Sequence, residues 1–370
     1  MEWKFSEEQE AYAEALQDWL AGAVDSERLR GWFESGDASG FTVPFVRDWA
    51  GVGTPEEEGG QGGGLVELAL TAENLARVDA PSGDWLATVL ALPALAGQPE
   101  IVEESLGGRP TVLLVPANRI PDGDTTVAAG PGGLQGAVPM VLAGDTATRF
   151  VVPVNGEFGI ELHLVEADQP GVTRATRSLL DRSRSLADVT LAGAASERLN
   201  VDVVTVLDAI SRRAAVLVAA DTVGATQTML DLSVGYSKQR QQFGVPIGSF
   251  QAVKHAAATM MVGVEAGRSA VYYTAASVDS DQPDAALHAA ATKAQVTQEG
   301  PRAADSALTM HGAIGYTWEH DLHLYYKRAK LNSGLFGSPG AWNERLADAL
   351  DLVASTDIVN STPLATVGGE

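Results

Sequence analysis

Residues 236–247, YSKQRQQFGVPI, decide the fold of this chain because they end its longest helical segment. Residues 201–240 contain no proline and many apolar side chains, which predicts a single helix of about 60 Å at 1.5 Å per residue. Apolar residues occupy most faces of this helix, so we expect it to pack on several sides. Arg240 stands at its end, followed by an aromatic residue, a glycine and a proline in a predicted turn.

The same turn carries residues suited to binding a phosphate. The guanidinium of Arg240 can clamp a pyrophosphate through two parallel hydrogen bonds, and Phe243 can cover an aromatic ring. A structural alternative assigns Arg240 to the helix dipole, because a cation at a helix C-terminus is stabilising on its own.

A second candidate site is residues 310–321, MHGAIGYTWEHD. Gly312 and Gly315 lack a Cβ atom, which lets backbone amides approach a phosphate or a sugar. The alternative is a turn that only terminates a helix. His320 and His323 are spaced i, i+3 rather than i, i+4 as in the zinc-protease motif, so we expect no metal site here.

Helical and strand periodicities divide the chain into three predicted domains. Residues 109–199 alternate short apolar runs with turn residues, which is typical of β structure. Long helical segments with short connections follow and predict an antiparallel bundle. The predicted fold class is therefore α+β, with an N-terminal helical domain, a middle β-barrel or β-sandwich domain and a C-terminal antiparallel bundle of the four-helix type. The predicted boundaries are 1–108, 109–199 and 200–356, with a flexible tail at 357–370.

The 370 residues carry a net charge of −23 and no cysteine. Nucleic acid and anionic membrane surfaces repel a strongly acidic chain, so neither is an expected partner. The lack of cysteine excludes disulfides, thiolate metal sites and cysteine nucleophiles, and it fits a cytoplasmic protein. No apolar run reaches the roughly 18 residues of a membrane span, and the N-terminus lacks the basic-then-apolar order of a signal peptide.

The chain resembles the acyl-CoA dehydrogenase family over nearly its whole length. RQQFG at 240–244, which is similar to the family's Arg-x-x-Phe-Gly segment, and HGAIGYTWE at 311–319 are the most specific matches. FSEEQ at 5–9, PEEEGGQG at 55–62 and ENLAR at 73–77 also resemble family segments. The resemblance implies α,β-dehydrogenation of an acyl-CoA, in which a carboxylate removes the α proton and FAD takes the β hydride.

In this family FAD lies between the subunits of a dimer, and two dimers usually form a tetramer. The resemblance therefore implies an FAD site shared across a subunit interface, with an electron-transfer flavoprotein or a similar protein as electron acceptor. The residues that it assigns to FAD binding are Arg240, Gln242, Phe243, Ile247, Gln251, Gly312 and Gly315.

The chain departs from the family pattern at both places where the catalytic glutamate is usually found. One place is occupied by Phe336 and the other by Ala214, and Ala215 stands where many members carry a substrate-side arginine. Neither phenylalanine nor alanine accepts a proton, which removes a rate contribution of roughly 10²–10⁴-fold. We therefore expect no catalytic residue in this chain.

The middle domain departs from the pattern as well. Active members have a Thr-Glu-Pro-x-x-Gly-Ser-Asp segment that holds the flavin ring, whereas residues 112–119 are VLLVPANR. In the family, the lost segments act on the FAD of the same subunit, and the largely retained ones reach the FAD of the neighbour. This split predicts a non-catalytic subunit of a heteromeric (α2β2) enzyme. A homologous partner would bring the glutamate, as in bacterial assemblies that act on steroid side-chain CoA thioesters.

Three alternatives stay open on the sequence. The first is a self-sufficient homo-oligomer with a relocated base, for which Asp221, Glu265 and Glu319 are candidate acids. The second is a flavin-free scaffold that kept the fold and lost the chemistry. The third is other chemistry on the same fold, such as flavin-dependent hydroxylation or dehydration.

Overall fold

The computed structural model describes residues 4–350, so the predicted tail and residues 351–356 of the predicted bundle lie outside the described residues. A helical region comes first in the chain. Its helices are α1 (Glu7–Ala23), α2 (Ser26–Ser35), α3 (Ser39–Asp48), α4 (Leu65–Arg77), α5 (Gly83–Ala91) and α6 (Pro99–Leu106). The Ser6 hydroxyl accepts from the Gln9 N–H at 3.2 Å and the Gln9 side chain accepts from the Ser6 N–H, so a capping box starts α1.

The middle region is a mixed β-sheet. Its strands are β1 (Thr111–Leu113), β2 (Ala128–Gly130), β3 (Gly133–Leu142), β4 (Arg149–Gly156), β5 (Gly159–Glu166), β6 (Val172–Arg177), β7 (Leu186–Ala194) and β8 (Glu197–Arg198). Within the described chain they form one sheet in the order β6-β7-β3-β2-β4-β5-β8, with β1 beside β4. Strands β1 and β2 run parallel to β4, whereas the other pairs are antiparallel. The predicted middle β domain is confirmed, and its strands form this one continuous sheet.

The C-terminal region is again helical. Its elements are α7 (Val203–Gln239), β9 (Gln241–Gln242), β10 (Val245–Pro246), α8 (Gln251–Asp279), α9 (Ala285–His311), α10 (Leu322–Asn332) and α11 (Pro339–Ala349). The long helix predicted over 201–240 is confirmed as α7, whose first turn is capped by the Asp202 carboxylate. It packs against α4, α8, α9 and α10, as its apolar faces predict.

Helices α4 and α7 touch backbone to backbone at Gly224. A Cβ atom placed on Gly224 would lie 2.1 Å from the carbonyl oxygen of Glu73. Only glycine permits this approach, so the N-terminal helices are pressed directly onto the central helix.

A buried ionic cluster joins the three regions. Asp221 of α7 accepts from Arg328 of α10 at 2.6 and 2.9 Å, and it pairs with Arg184 from the segment before β7 at 2.7 Å. Arg328 also pairs at 3.3 Å with Asp79, which follows α4. Asn332 donates to Asp221 at 2.7 Å and accepts from Arg184 at 2.9 Å. Each region therefore contributes at least one charged side chain to one interior cluster.

The two buried aspartates of this cluster differ in their electrostatics. Burial by itself raises the pKa of Asp221, but the guanidinium groups of Arg184 and Arg328 hold that pKa well below its usual range. Asp79 is also fully buried and has a single, longer ion pair, so burial prevails and raises its pKa to about 7. Asp221 is therefore the carboxylate that neutralises the arginines.

We expect Asp221→Ala to destabilise the protein by about 3–5 kcal/mol, because it leaves two arginines buried without their main counter-charge. Urea denaturation of the full chain measures this loss. Glu299→Ala is the matched control, since it breaks the exposed ion pair of Glu299 with Arg302 and should cost less than about 1 kcal/mol. Equal losses in the two variants would contradict the role given to the cluster.

Candidate functional site

The predicted phosphate-binding turn is a tight hairpin at the end of α7. Gln241 and Gln242 pair with Val245 and Pro246, which leaves a two-residue turn. Its first residue, Phe243, has φ +54° and the glycine after it has φ +79°. Positive φ at both central positions is the property of a type I′ turn, and it is unfavourable for a bulky residue such as phenylalanine. Strain of this kind is typical of functional positions.

The strained turn presents its aromatic side chain to solvent. Phe243 is 93% exposed and meets only the edge of the Phe250 ring, at a centroid distance of 6.1 Å. Arg240, Gln242 and Gln251 are also exposed around it. Phe243 and Phe250 together form an exposed apolar pair beside Arg240, which distinguishes this turn from a single exposed side chain.

This surface also concentrates unpaired positive charge. Within residues 4–350, Lys238, Arg240 and Lys254 form no salt bridge with any Asp or Glu side chain. Three cations without acidic partners around one turn of a chain with a net charge of −23 form a locally positive surface that can attract an anion. The backbone of Arg240 is fixed at both ends, because its N–H donates to Tyr236 and its carbonyl accepts from Ile247, each at 2.8 Å.

The structure brings the second predicted segment next to the first. His311, the last residue of α9, stacks on Tyr236 of α7 at a centroid distance of 4.6 Å. Gly312 follows with φ +66° and has open space where a Cβ would stand. Gly315 differs, because a Cβ there would lie 2.9 Å from a Leu308 methyl group. The geometry therefore leaves Gly312 accessible to a ligand and explains Gly315 by packing.

The region around the expected catalytic glutamate is closed. Phe336 is 4% exposed, has φ +53°, and donates its backbone N–H to the carbonyl of Ala117 at 2.5 Å. Its own carbonyl accepts from the Trp342 indole at 2.9 Å. Ala117 belongs to residues 112–119, the segment that departs from the pattern of the resembled family. The structure therefore joins the two segments that depart from this pattern by a backbone hydrogen bond.

The other expected glutamate position is filled by packing. Ala214 and Ala215 are fully buried in the middle of α7. Ala215 belongs to a small apolar cluster around Trp342, whose side chain is 1% exposed and is surrounded mostly by alanines of α9. Trp342 thus fills the interior beside Ala215, where many members of the resembled family carry an arginine. Sequence reasoning missed this tryptophan, whose signal is a large aromatic residue shortly after Phe336.

The candidate relocated bases lack the properties of a general base. Asp221 is neutralised by two arginines within the buried cluster. Hydrogen bonds from its own backbone N–H and from Thr317 lower the pKa of the exposed Glu319 carboxyl. Glu265 is exposed and ion-paired with Arg268. A carboxylate with a lowered pKa is a weak proton acceptor, so Asp221 and Glu319 are poor substitutes for the missing glutamate.

Sequence reasoning also missed a buried lysine next to the Phe336 turn. The Lys293 ammonium is fully buried and faces no carboxylate within residues 4–350. It donates to the carbonyls of Asn332 and Gly337, each at 3.2 Å, and to the Thr297 hydroxyl at 3.3 Å. Burial lowers the pKa of Lys293 to about 7. The signal in the sequence is a single lysine within the alanine-rich part of α9.

Residues 4–350 contain neither a metal-binding cluster nor a membrane-spanning helix. Within residues 4–350, no three His, Asp or Glu side chains converge on a point where a metal ion would bind. None of the described helices combines the length and apolarity that crossing a bilayer requires.

Comparison with known proteins identifies the class. The family profile for the acyl-CoA dehydrogenase N-terminal domain matches residues 6–106, and the profile for the C-terminal domain matches residues 209–350. The chain belongs to the acyl-CoA dehydrogenase family. It is 32% identical to acyl-CoA dehydrogenase IpdE2 of Mycobacterium tuberculosis, over 77% of this chain and 78% of that protein.

The chain is also similar to a longer relative and to proteins whose structures have been solved. The chain is 31% identical to acyl-CoA dehydrogenase FadE34 of Mycobacterium tuberculosis over 92% of its own length, but it spans only 48% of that relative. A variant of the Tcur3481-Tcur3483 steroid ACAD superposes with a TM-score of 0.82 at 25% identity, covering 92% of this chain and 97% of that one. Butyryl-CoA dehydrogenase of Megasphaera elsdenii has the same fold, with a TM-score of 0.84 at 21% identity over 94% and 99% of the two chains.

We expect the free energy of unfolding of the unsubstituted chain to rise with pH above about 7, and we expect Lys293→Met to remove this rise. The pKa of Lys293 is about 7 in the folded chain and 10.5 for a free lysine. Between these values the unfolded chain binds more protons, so unfolding becomes harder as the pH rises through this window, by up to about 1.4 kcal/mol per pH unit.

Denaturant unfolding at pH 7, 8, 9 and 10 measures the slope. Lys254→Met, which removes an exposed lysine, is the control and should leave the slope as it is in the unsubstituted chain. An unchanged slope in Lys293→Met would show that Lys293 is not the titrating group.

Proposed function

We propose that this chain is a non-catalytic subunit of a heteromeric, FAD-dependent acyl-CoA dehydrogenase. The proposal rests on a difference between two parts of the chain. One part would contact a flavin bound to the same subunit, and the other would contact a flavin bound to a neighbouring subunit. In the half that would serve a flavin in the same subunit, Phe336 is buried and donates its backbone N–H to the carbonyl of Ala117. The half that would serve a neighbour's flavin is open, with Phe243 93% exposed.

The open half fits FAD by its chemistry. A pyrophosphate is anionic and accepts hydrogen bonds, and Arg240 offers a guanidinium free of any acidic partner among residues 4–350. The residues that would hold the cofactor are Arg240, Gln242, Phe243, Ile247, Gln251 and Gly312, with Gly315 supporting the turn. FAD, when bound, supplies the hydride acceptor of the reaction. This chain's part is to bind and orient it, because the two positions expected for the catalytic glutamate carry Phe336 and Ala214.

The proposed partner is a homologous subunit that carries the glutamate and the flavin-ring segment. The Tcur3481-Tcur3483 steroid ACAD, to which this chain is 25% identical, is named for two proteins and for a steroid substrate class. We extend both properties to this chain, so the proposed substrate is an acyl-CoA of the steroid side-chain type. An electron-transfer flavoprotein or a similar protein would accept the electrons, and the cytoplasm stays the predicted location.

The first experiment purifies the chain alone and together with a glutamate-bearing homologue encoded beside it. We expect flavin absorbance and acyl-CoA oxidation only in the pair, with one FAD for each two chains. The visible spectrum, native mass and turnover with an artificial electron acceptor measure these outcomes. A homomer of this chain that oxidises acyl-CoA would refute the proposal.

A second prediction concerns the exposed aromatic residue. Phe243→Ala should reduce the FAD content of the purified pair several-fold without lowering the stability of this chain, because the side chain has almost no contacts within it. Phe158→Ala is the matched control, since Phe158 is 92% exposed on the hairpin between β4 and β5. Equal flavin content in the two variants would show that Phe243 does not contribute to FAD binding.

A third prediction restores the family's carboxylate. Phe336→Glu in the isolated chain should yield no acyl-CoA oxidation, because residues 112–119 still lack the flavin-ring segment. It should also destabilise the fold by about 1–3 kcal/mol, since a polar carboxyl would enter a site that is 4% exposed. Turnover assays and urea denaturation test the two parts, and turnover by this variant would contradict the closed-site argument.

A further inference from the structure

Three polar side chains form a hydrogen-bonded chain on the middle sheet, in a region that the proposed flavin surface does not use. The Ser196 hydroxyl lies 2.9 Å from Nδ1 of His163. The Nε2 atom of the same imidazole lies 3.2 Å from Oε2 of Glu161. Arg198 pairs with the second oxygen of that carboxylate at 3.2 Å. A hydroxyl, an imidazole and a carboxylate are thus connected in the order of a nucleophile, its base and an orienting acid.

The strand register brings these residues together. Glu161 and His163 are two residues apart on β5, so their side chains share one face of the sheet. The antiparallel pairing of β5 with β8 sets Arg198 opposite His163. Ser196 lies in the short connection between β7 and β8, and its hydroxyl is within hydrogen-bond distance of the His163 imidazole. Strand register therefore places Glu161, His163 and Arg198, and the connection before β8 adds Ser196.

The hydrogen bonds assign a single tautomer to the imidazole. Because the Glu161 carboxylate can only accept, Nε2 of His163 carries the proton and donates to it. Nδ1 is then unprotonated and accepts from the Ser196 hydroxyl. The imidazole is 9% exposed and fixed from both sides, while Ser196 is exposed to solvent. The base is therefore oriented and the nucleophile is accessible.

A backbone donor lies at the edge of the sheet near the nucleophile. The Leu199 N–H donates inward to the carbonyl of Leu162 at 2.8 Å. Since N–H groups alternate in direction along an antiparallel strand, that of Arg198 points away from β5. β8 is the last strand of the sheet, so this edge is open and the Arg198 N–H can donate to a bound carbonyl group.

We propose that Ser196 is an activated nucleophile that takes up acyl groups from small esters and thioesters. The Ser196 oxygen forms a bond to the acyl carbon as the carbon–oxygen or carbon–sulfur bond to the leaving group breaks. His163 receives the hydroxyl proton on Nδ1 and passes it to the departing alkoxide or thiolate. Water, deprotonated by the same nitrogen, then releases the acid and regenerates the hydroxyl. Glu161 is a positioning residue, and no oxidant or cofactor enters the balance.

Acylation of the full chain by p-nitrophenyl acetate tests the proposal. We expect release of p-nitrophenol and a mass increase of one acetyl group, which peptide mapping places on Ser196. Ser196→Ala should abolish this modification. Ser35→Ala is the matched control, since Ser35 is an exposed serine whose hydroxyl has no imidazole partner, and it should leave labelling unchanged.

Three further variants separate catalysis from surface reactivity. His163→Gln should slow acetylation of Ser196 roughly 10²-fold, as expected for the loss of a general base. Glu161→Gln should slow it less than His163→Gln does, because it removes only the carboxylate that orients the imidazole, and Glu161→Ala should slow it more than Glu161→Gln, since glutamine keeps an acceptor for the Nε2 proton. If Ser196 is labelled no faster than Ser35, or if His163→Gln leaves the rate unchanged, the network is a hydrogen-bonded surface feature and the proposal fails.

Discussion

The ion pairing of Asp221 with two buried arginines is the constraint on which the rest of the structure depends. Its partners come from different parts of the chain, with Arg184 preceding the last long strand of the sheet and Arg328 on α10. An unpaired charge in the interior costs several kcal/mol, so arrangements of the three regions that separate these side chains are disfavoured. The relative placement of helices and sheet is thereby fixed to hydrogen-bond precision.

This fixed placement gives the two ends of the central helix different environments. Around Ala214 and Ala215, α7 is fully buried, and Ala215 packs on Trp342, whose indole donates to the carbonyl of Phe336. The end of α7, at Arg240, is exposed and leads into a strained hairpin. One helix therefore carries a buried segment and an exposed one at the two positions where the proposed function places the two half-sites.

Much of this could be predicted from the residues. The long helix, the switch to strands near residue 109 and the capping of α1 follow from periodicity and local hydrogen bonding, which act over a few residues. The absence of a proton acceptor at Phe336 and Ala214 follows from side-chain chemistry alone. The bond between Phe336 and Ala117 could not be predicted, because it joins backbone atoms more than 200 residues apart that have no pattern in common.

The sequence by itself determined the family, the order of helical and β regions and the identity of the side chains available for chemistry, because these depend on residue type and short-range spacing. Only the tertiary structure decided which of those side chains meet. In the structure, Asp221 is ion-paired with two buried arginines and is not available as a base. Gly315 is packed against Leu308, whereas Gly312 has open space where a Cβ would stand. It also brought the hydroxyl of Ser196, just before β8, to the imidazole of His163 on β5. The physical reason is that burial and long-range register set the energy of a charge or a hydrogen bond, and neither is written in local sequence.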